Sequence, residues 1–353
     1  MIEMGKVIAA SVPQHIETEP ELEEILTRPS AELVQFIKTI PSPLLVLGAG
    51  GKMGPTVAIM ARRAAEAAGH SLQVIAASRF NDGRARSCLE RHGVQTISCD
   101  LLKPDSLQSL PDTQNVIHLV GIKFGTGKAP ATTWAINVVV PLRVAERYPR
   151  ARIVALSTGN VYPLSKVDRG GSMEIDPLTP LGEYPNAAVG RERVFEFYSQ
   201  RDEIPLTLLR LFYAVELRYG VLVDLAQKVN AGEPIDLANG YFNCIWQGDA
   251  SDMILRSLSL ADSQASAWNL CCTEIFSVRT VASQLGELLG RAPIFNGNET
   301  STALLGNSGR ICGELGEPPT SLATMMRWVA HWVKHNGRTL GKPTHFEVRD
   351  GNY

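Results

Sequence analysis

The stretch Leu44-Leu45-Val46-Leu47-Gly48-Ala49-Gly50-Gly51-Lys52-Met53-Gly54 constrains this chain more than any other. Four consecutive aliphatic residues make a strand buried on both faces, and three glycines at spacing G-x-x-G-x-x-G make a tight turn. Pro55 then stands where the first turn of a helix tolerates proline. In a strand–turn–helix of this kind Gly48 permits the sharp turn, Gly51 lets backbone approach a pyrophosphate, and Gly54 lets the helix pack on the strand. The helix N-terminus then faces the anion. A glycine triplet alone describes an ordinary turn equally well; the strand before it and the helix after it favour the phosphate reading.

At 353 residues, with 44% hydrophobic residues and a formal net charge of −2, the chain can bury a substantial core and carry two lobes. It lacks the basic patch that a nucleic-acid partner requires, and no run reaches the ~18 apolar residues of a membrane helix. The first residues carry Glu3 before a short apolar run and no persuasive cleavage site, so they do not read as a secretory leader. Cys88, Cys99, Cys244, Cys271, Cys272 and Cys312 show no C-x-x-C spacing. Reduced thiols in the cytoplasm, and no metal site, are the expectation.

Residues 1–40 read as a helical extension, its second short helix capped by Ser30, lying against the next domain or binding a partner. From Pro43 strands and helices alternate, with strands at 44–47, 72–76, 96–98, 115–120, 152–156 and 206–209 and longer helices at 132–147 and 185–199. This alternation predicts an α/β fold, a Rossmann-type doubly wound parallel sheet over 41–215. A smaller C-terminal α/β substrate lobe and tail follow over 216–353, with segments around 249–272 returning to the sheet domain. Within that lobe Asn239-Gly240, between 235–237 and 242–246, predicts a hairpin. Helices are expected at 249–258, 278–289 and 321–333, and the polar stretch 336–353 reads as a surface tail.

Further short signals follow the glycine turn. They are Asp100-Leu101 after the third strand, His118-Leu119-Val120-Gly121 after the fourth, Asn137 in the long helix, and Leu156-Ser157-Thr158-Gly159-Asn160-Val161-Tyr162. Tyr184 with Glu192, Leu209-Arg210, Gly232-Glu233-Pro234-Ile235, Asp249 and Trp268-Asn269-Leu270 continue the series. In this order and at these intervals, residues from about 44 to about 333 resemble an extended short-chain dehydrogenase/reductase, the family that includes nucleotide-sugar epimerases and dehydratases.

The resemblance implies a nicotinamide dinucleotide held by Gly48, Gly50, Gly51, Lys52, Met53, Gly54, Ser78, Arg79, Asp100, Leu101, Val120, Gly121 and Asn137. Ser78-Arg79 ends the second strand and no acid follows until Asp82, which favours NADP over NAD as second choice, because arginine accommodates a 2′-phosphate. Arg79 is otherwise a solvated charge. Asp100 is expected to accept from the adenine amino group, to cap the following helix, or both. His118 reads as a structural neighbour of the cofactor rather than a general base.

For catalysis the resemblance implies a hydroxyl at Thr158 and a proton-exchanging tyrosine at Tyr184, but its lysine position holds Ala188. Tyrosine's ordinary pKa is about 10, so a nearby cation matters for forming phenolate at neutral pH. Three readings stay open. Lys123 or Lys128, in the loop after the fourth strand, restores the charge; Tyr184 serves only as a hydrogen-bond donor or the chemistry is not a tyrosine-dependent redox step; or the site binds dinucleotide without turnover. Arg191, about two helical turns beyond Tyr184, is not expected to reach its hydroxyl.

The asparagine and arginine with which nucleotide-sugar relatives grip a diphosphate correspond here to Tyr213 and an aromatic before Asn243. This points instead to a less charged small hydroxyl or carbonyl substrate, aromatic or carbohydrate-like. Tyr213, Phe242 and Trp246 could line its pocket or simply pack the core, and Arg218 remains available for an acidic group. The expected function is an NAD(P)-dependent oxidoreductase or epimerase-like enzyme, with a catalytically reduced dinucleotide-binding sensor or assembly protein as the alternative. Apolar residues Val138, Val139, Val140, Val144, Val194, Phe195 and Phe197 on the two long helices, through which relatives dimerise, predict a homodimer.

Overall fold

The computed structural model describes residues 12–81, 83–123, 128–342 and 344–351. Residues 1–11 of the predicted extension, Asp82 and the last two residues of the tail lie outside them. Seven strands form one parallel sheet: β1 (Leu44–Leu47), β2 (Val74–Ser78), β3 (Gln95–Ser98), β4 (Asn115–His118), β5 (Arg152–Thr158), β6 (Leu206–Leu211) and β7 (Ser266–Leu270). They run in the order β7-β6-β5-β4-β1-β2-β3. The chain leaves β1 first toward β2 and β3 and then returns to β4 on its other side. A crevice therefore opens at the carboxyl ends of β1 and β4, where doubly wound sheets bind ligands. β2 begins two residues later than the hydrophobic run suggests, because it pairs Leu44 with Val74 in parallel register. That register carries Ser78 to the crevice end of the strand.

The helices that contribute to the packed cores include α1 (Glu19–Leu26), α2 (Ala31–Phe36), α3 (Gly54–Ala67), α4 (Val140–Arg147), α5 (Glu183–Asp202), α6 (Val221–Ala231), α7 (Gln247–Arg256), α8 (Val278–Leu289) and α9 (Leu322–Lys334). The predicted long helix before β5 is not continuous: a π-helical turn, Ala135–Val139, separates Pro130–Trp134 from α4. Pro141 has no N–H to offer the carbonyl of Asn137, so the ladder slips by one residue there.

One core lies between the sheet and α3 and α7, with Leu33, Ile37 and Ile40 of the extension joining it. A second packs α6, α8 and α9 around Trp246, Trp328 and Phe242, and takes Ile16, Leu22 and Leu26. The extension thus bridges both cores. The return of the chain to the sheet domain is β7 at the sheet edge and α7 against α3.

Two expectations fail in the second lobe. Asn239-Gly240 does not turn a hairpin: Pro234–Asp236 pairs with Ile294–Asn296, Tyr241–Phe242 with Phe276–Ser277, and Cys244–Trp246 with Tyr213–Val215. Partners distant in sequence outcompete the local turn, and the Asn239 amide donates to the Phe346 carbonyl instead. Nor does the tail lie wholly on the surface, because Phe346 is inserted in the second core at 1% exposure.

Candidate active site

A cleft of about 350 Å³ runs along the crevice, lined by Gly48, Gly50, Gly51, Ser78, Arg79, Asp100, Leu101, Val120 and Gly121 among others. Its floor is shaped by missing side chains. A Cβ on Gly48, whose φ is +82°, would sit 2.9 Å from the Leu119 carbonyl carbon, and one on Gly50 would sit 2.7 Å from Ser78 Oγ. Gly54 meets backbone more closely still, 2.4 Å from Ala49 Cα, and so seats α3 on the turn. A Cβ on Gly51 would meet only the turn's own Gly48 carbonyl oxygen, at 3.3 Å, and the Gly51 N–H donates to that carbonyl at 2.9 Å. This is a cradle cut for a phosphate-bearing dinucleotide, and its residues fit one. Asp100 lines the cleft wall, where its Oδ1 accepts from the Leu102 N–H in a turn; it does not cap the following helix, which begins at Pro104 with Lys103 at its N-cap position. Arg79 is exposed at the cleft margin.

Asn137 is not in that wall. It is fully buried, with Nδ2 donating to the Thr133 carbonyl and Oδ1 accepting from Arg191. The π turn places it there, under a second cavity of about 210 Å³ that adjoins the cleft at Leu119 and Gly121.

This second cavity gathers Thr158 from the end of β5, Tyr184 from the first turn of α5, and Tyr213 after β6. Thr158 and Tyr184 are hydrogen-bonded through their side chains. Burial pushes the Tyr184 hydroxyl above the usual tyrosine range, and two effects pull it back: first the charge of Arg191, then the Thr158 hydrogen bond. Arg191, expected not to reach the hydroxyl, acts on Tyr184 through its charge, while its guanidinium is held by the Leu156 carbonyl and Asn137. Side chains of a helix lean toward its N-terminus, so Arg191 reaches back along the face it shares with Tyr184. Ala188 is fully buried, packed in an apolar cluster with Val161, Tyr162 and Phe212. The guanidinium donates to the Leu156 carbonyl and Asn137 Oδ1 and presses on Gly121, where a Cβ would lie 2.8 Å from Nη2. Its Nε has no partner among the described residues.

The lysines divide. Lys123 lies in the cavity wall, Nζ donating to the Thr344 carbonyl at 3.4 Å, and burial pushes its pKa down to about 8. Lys128 is exposed and lines neither cavity. Lys52, predicted only as part of the phosphate turn, directs its side chain into the second cavity with Met53. Its Nζ donates to the Ala214 carbonyl at 2.7 Å and stands 4.1 Å from the Tyr219 ring centroid, and burial pushes its pKa down to about 7. Within the sequence its only signal is a charged residue inside a turn that otherwise needs none.

Three further residues stand elsewhere than the substrate reading suggested. Trp246 packs against Trp328 in the second core, ring centroids 5.1 Å apart, because the strand Cys244–Trp246 faces the helices there. Phe242 is likewise core. Arg218 is held by Glu216 and Glu19 in a separate groove. His118 is buried with both ring nitrogens unpartnered among the described residues, and burial with the nearby Arg191 charge pushes its pKa to about 3, so it stays neutral.

Behind the pair a buried network fixes position. Glu192 accepts from Ser157 and from Arg210, the ion pair measuring 2.7 Å, and Arg210 in turn donates to the Tyr162 hydroxyl, which donates to Asn269. It ties β5, β6, β7 and α5 together beneath Thr158.

A search of curated proteins finds no match to this chain. Solved structures share its fold. UDP-glucuronic acid 4-epimerase from Bacillus cereus, in complex with NAD, matches at 19% identity and TM-score 0.69, over 83% of this chain and 96% of that one. dTDP-glucose 4,6-dehydratase from Bacillus anthracis, also with NAD, matches at 16% identity and TM-score 0.68, over 84% and 97%. UDP-glucose 4-epimerase from Thermus thermophilus, with NAD, matches at 17% identity and TM-score 0.66, over 84% and 99%. The model of the NAD dependent epimerase/dehydratase family matches residues 44–244, more than half of the chain and both walls of the cleft, and the protein belongs to that family of enzymes.

Proposed function

We propose that the protein is an NADP-preferring oxidoreductase or epimerase-like enzyme acting on a small hydroxyl or carbonyl substrate rather than a nucleotide sugar. The observation that carries this reading is the buried Thr158–Tyr184 hydrogen bond in a cavity continuous with the cleft, with the Arg191 charge beside it. When bound, the nicotinamide supplies hydride transfer. Thr158 orients the substrate oxygen, and Tyr184 Oη takes its proton in oxidation or returns it in reduction. Arg191 does the electrostatic work that Ala188 cannot, favouring phenolate at Tyr184. Tyr184→Phe is expected to lower kcat by about 10²-fold or more while leaving NADPH binding intact. Unchanged turnover would overturn the catalytic assignment.

Ala188 favours a second reading, a dinucleotide-binding sensor without turnover. Tight NADPH binding with no activity over a broad carbonyl screen, and a cellular role unaffected by Tyr184→Phe, would establish that reading instead. NADP preference is supported by Arg79 at the cleft margin beside Ser78. Arg79→Glu should abolish preference for NADPH over NADH in a fluorescence titration. A homodimer through α5 and the helical segments that precede β5 is supported by Trp134, before the π turn, at 40% and Phe197 at 56% exposure, although Val140, Val144 and Phe195 face the sheet. Light scattering of wild type and Phe197→Glu tests it. Six free cysteines support a reducing, cytoplasmic location. Among the described residues no helix is long and apolar enough to cross a membrane.

A further inference from the structure

Lys52, Lys123 and Arg191 converge on the second cavity from three elements: the glycine turn, the segment after β4 and α5. Among its described lining residues there is no aspartate or glutamate. The nearest acids are engaged elsewhere: Glu216 accepts from Arg218, and Asp224 accepts from the N–H and hydroxyl of Thr344. Lys52 forms no ion pair among the described residues, and its ammonium has one oxygen acceptor, the Ala214 carbonyl, for three N–H donors. With no carboxylate in the described lining, the Lys52 ammonium is compensated only from outside the cavity, and an anion completes a wall built this way.

We infer that this cavity binds the oxyanion of a small substrate, a carboxylate or phosphate, with Lys52 as its principal contact and Lys123 in support. The inference rests on the proposed function for the identity of the cavity, and it makes the substrate an anionic hydroxyl or carbonyl compound. The oxyanion would sit beside the Thr158–Tyr184 pair, so that anchoring one end of the substrate presents its hydroxyl or carbonyl to Tyr184. Lys52 would thereby be a specificity residue, distinct from the turn's backbone, which faces the cleft. The groups facing its ammonium are Glu216 and Asp224, which favour the charged form, and Lys123 and Arg218, which oppose it, with Tyr219 beneath. Free of ligand, Lys52 titrates near neutrality, so oxyanion binding should take up a proton and weaken as pH rises.

The test is thermal unfolding of the full chain titrated with acetate and, separately, inorganic phosphate against chloride of matched ionic strength, with and without saturating NADPH. Wild type, Lys52→Met and Lys52→Arg are compared at about pH 6 and about pH 9. The expected result is saturable stabilisation of wild type by one anion or both, stronger at the lower pH, retained in Lys52→Arg and weakened about tenfold or more in apparent Kd in Lys52→Met. Response to acetate alone assigns a carboxylate, and to phosphate alone a phosphate. NADPH affinity within about twofold of wild type in both variants completes the case, since a cofactor-phosphate role would weaken it. No stabilisation beyond chloride, an equal response in Lys52→Met, or loss of NADPH affinity with the anion response intact would overturn the inference. Failure of NADPH to bind at all would refute the proposed function, while the cofactor-free arm still decides the role of Lys52.

Discussion

On the proposed function, Arg191 supplies, one turn further along the helix, the charge that Ala188 lacks. A lysine at 188 would approach Tyr184 directly, whereas Arg191 reaches back along the helix and is clamped by Leu156 and Asn137. Removing its charge in Arg191→Met takes away the largest effect lowering the Tyr184 pKa, so the alkaline rise of kcat should move to higher pH. Arg191→Lys should restore part of that shift, and an unmoved pH profile would count against the electrostatic role. Lys52 makes the opposite prediction for stability. Its folded-state pKa of about 7 lies below the unfolded value, so the charged form opposes folding; the cost is fully present below about pH 7 and vanishes as pH rises through the unfolded value near 10. Ligand-free Lys52→Met should therefore be more stable than wild type by about 2–3 kcal/mol at neutral pH, with the gain lost toward pH 10, in denaturant titrations.

Among the elements, α5 carries the proposed catalytic tyrosine on one face and a structural glutamate on another. Tyr184 and Arg191 face the cavity, while Glu192 reaches β5 and β6 through Ser157 and Arg210. The Arg210–Glu192 pair is almost wholly buried, with side-chain exposures of 4% and 0%. Arg210→Met leaves Glu192 charged without its partner, and should cost about 3–5 kcal/mol of stability by chemical denaturation. Replacing both with apolar residues should cost far less, which a double-mutant cycle measures. The π turn before α4 belongs to the same scale. Pro141→Ala restores a donor for the Asn137 carbonyl, and a regular helix there would withdraw Asn137 from Arg191.

For the whole molecule, the C-terminal tail completes the site. Thr344 lines the second cavity and bonds Asp224, while Phe346 fills the second core and Lys228 pairs with Glu347. Phe346→Ala should lower stability by about 3–4 kcal/mol through the cavity it leaves, and thermal unfolding reads this directly. Because the tail adjoins the cavity, the same variant should raise the substrate KM more than it changes NADPH affinity.

The parallel sheet strands and the glycine cradle were legible in the residues, because each depends on local pattern, hydrophobic period and turn chemistry, while Asp100 at the cleft and the Thr158–Tyr184 pairing were implied by the resemblance of short motifs to a known family. Helix boundaries drifted by a few residues where packing rather than propensity ends an element. What only the tertiary structure decided is where long side chains go. Arg191, Lys52, Lys123 and Lys128 are indistinguishable in sequence as charges near motifs, yet burial, backbone direction and competing partners send three into one cavity and leave the fourth in solvent. Trp246 and Arg218 fell the other way for the same reason: apolar area and available carboxylates in the second lobe claim them. Sequence period determines which face a residue shares, but the reach of a flexible cation is set by what surrounds its far end.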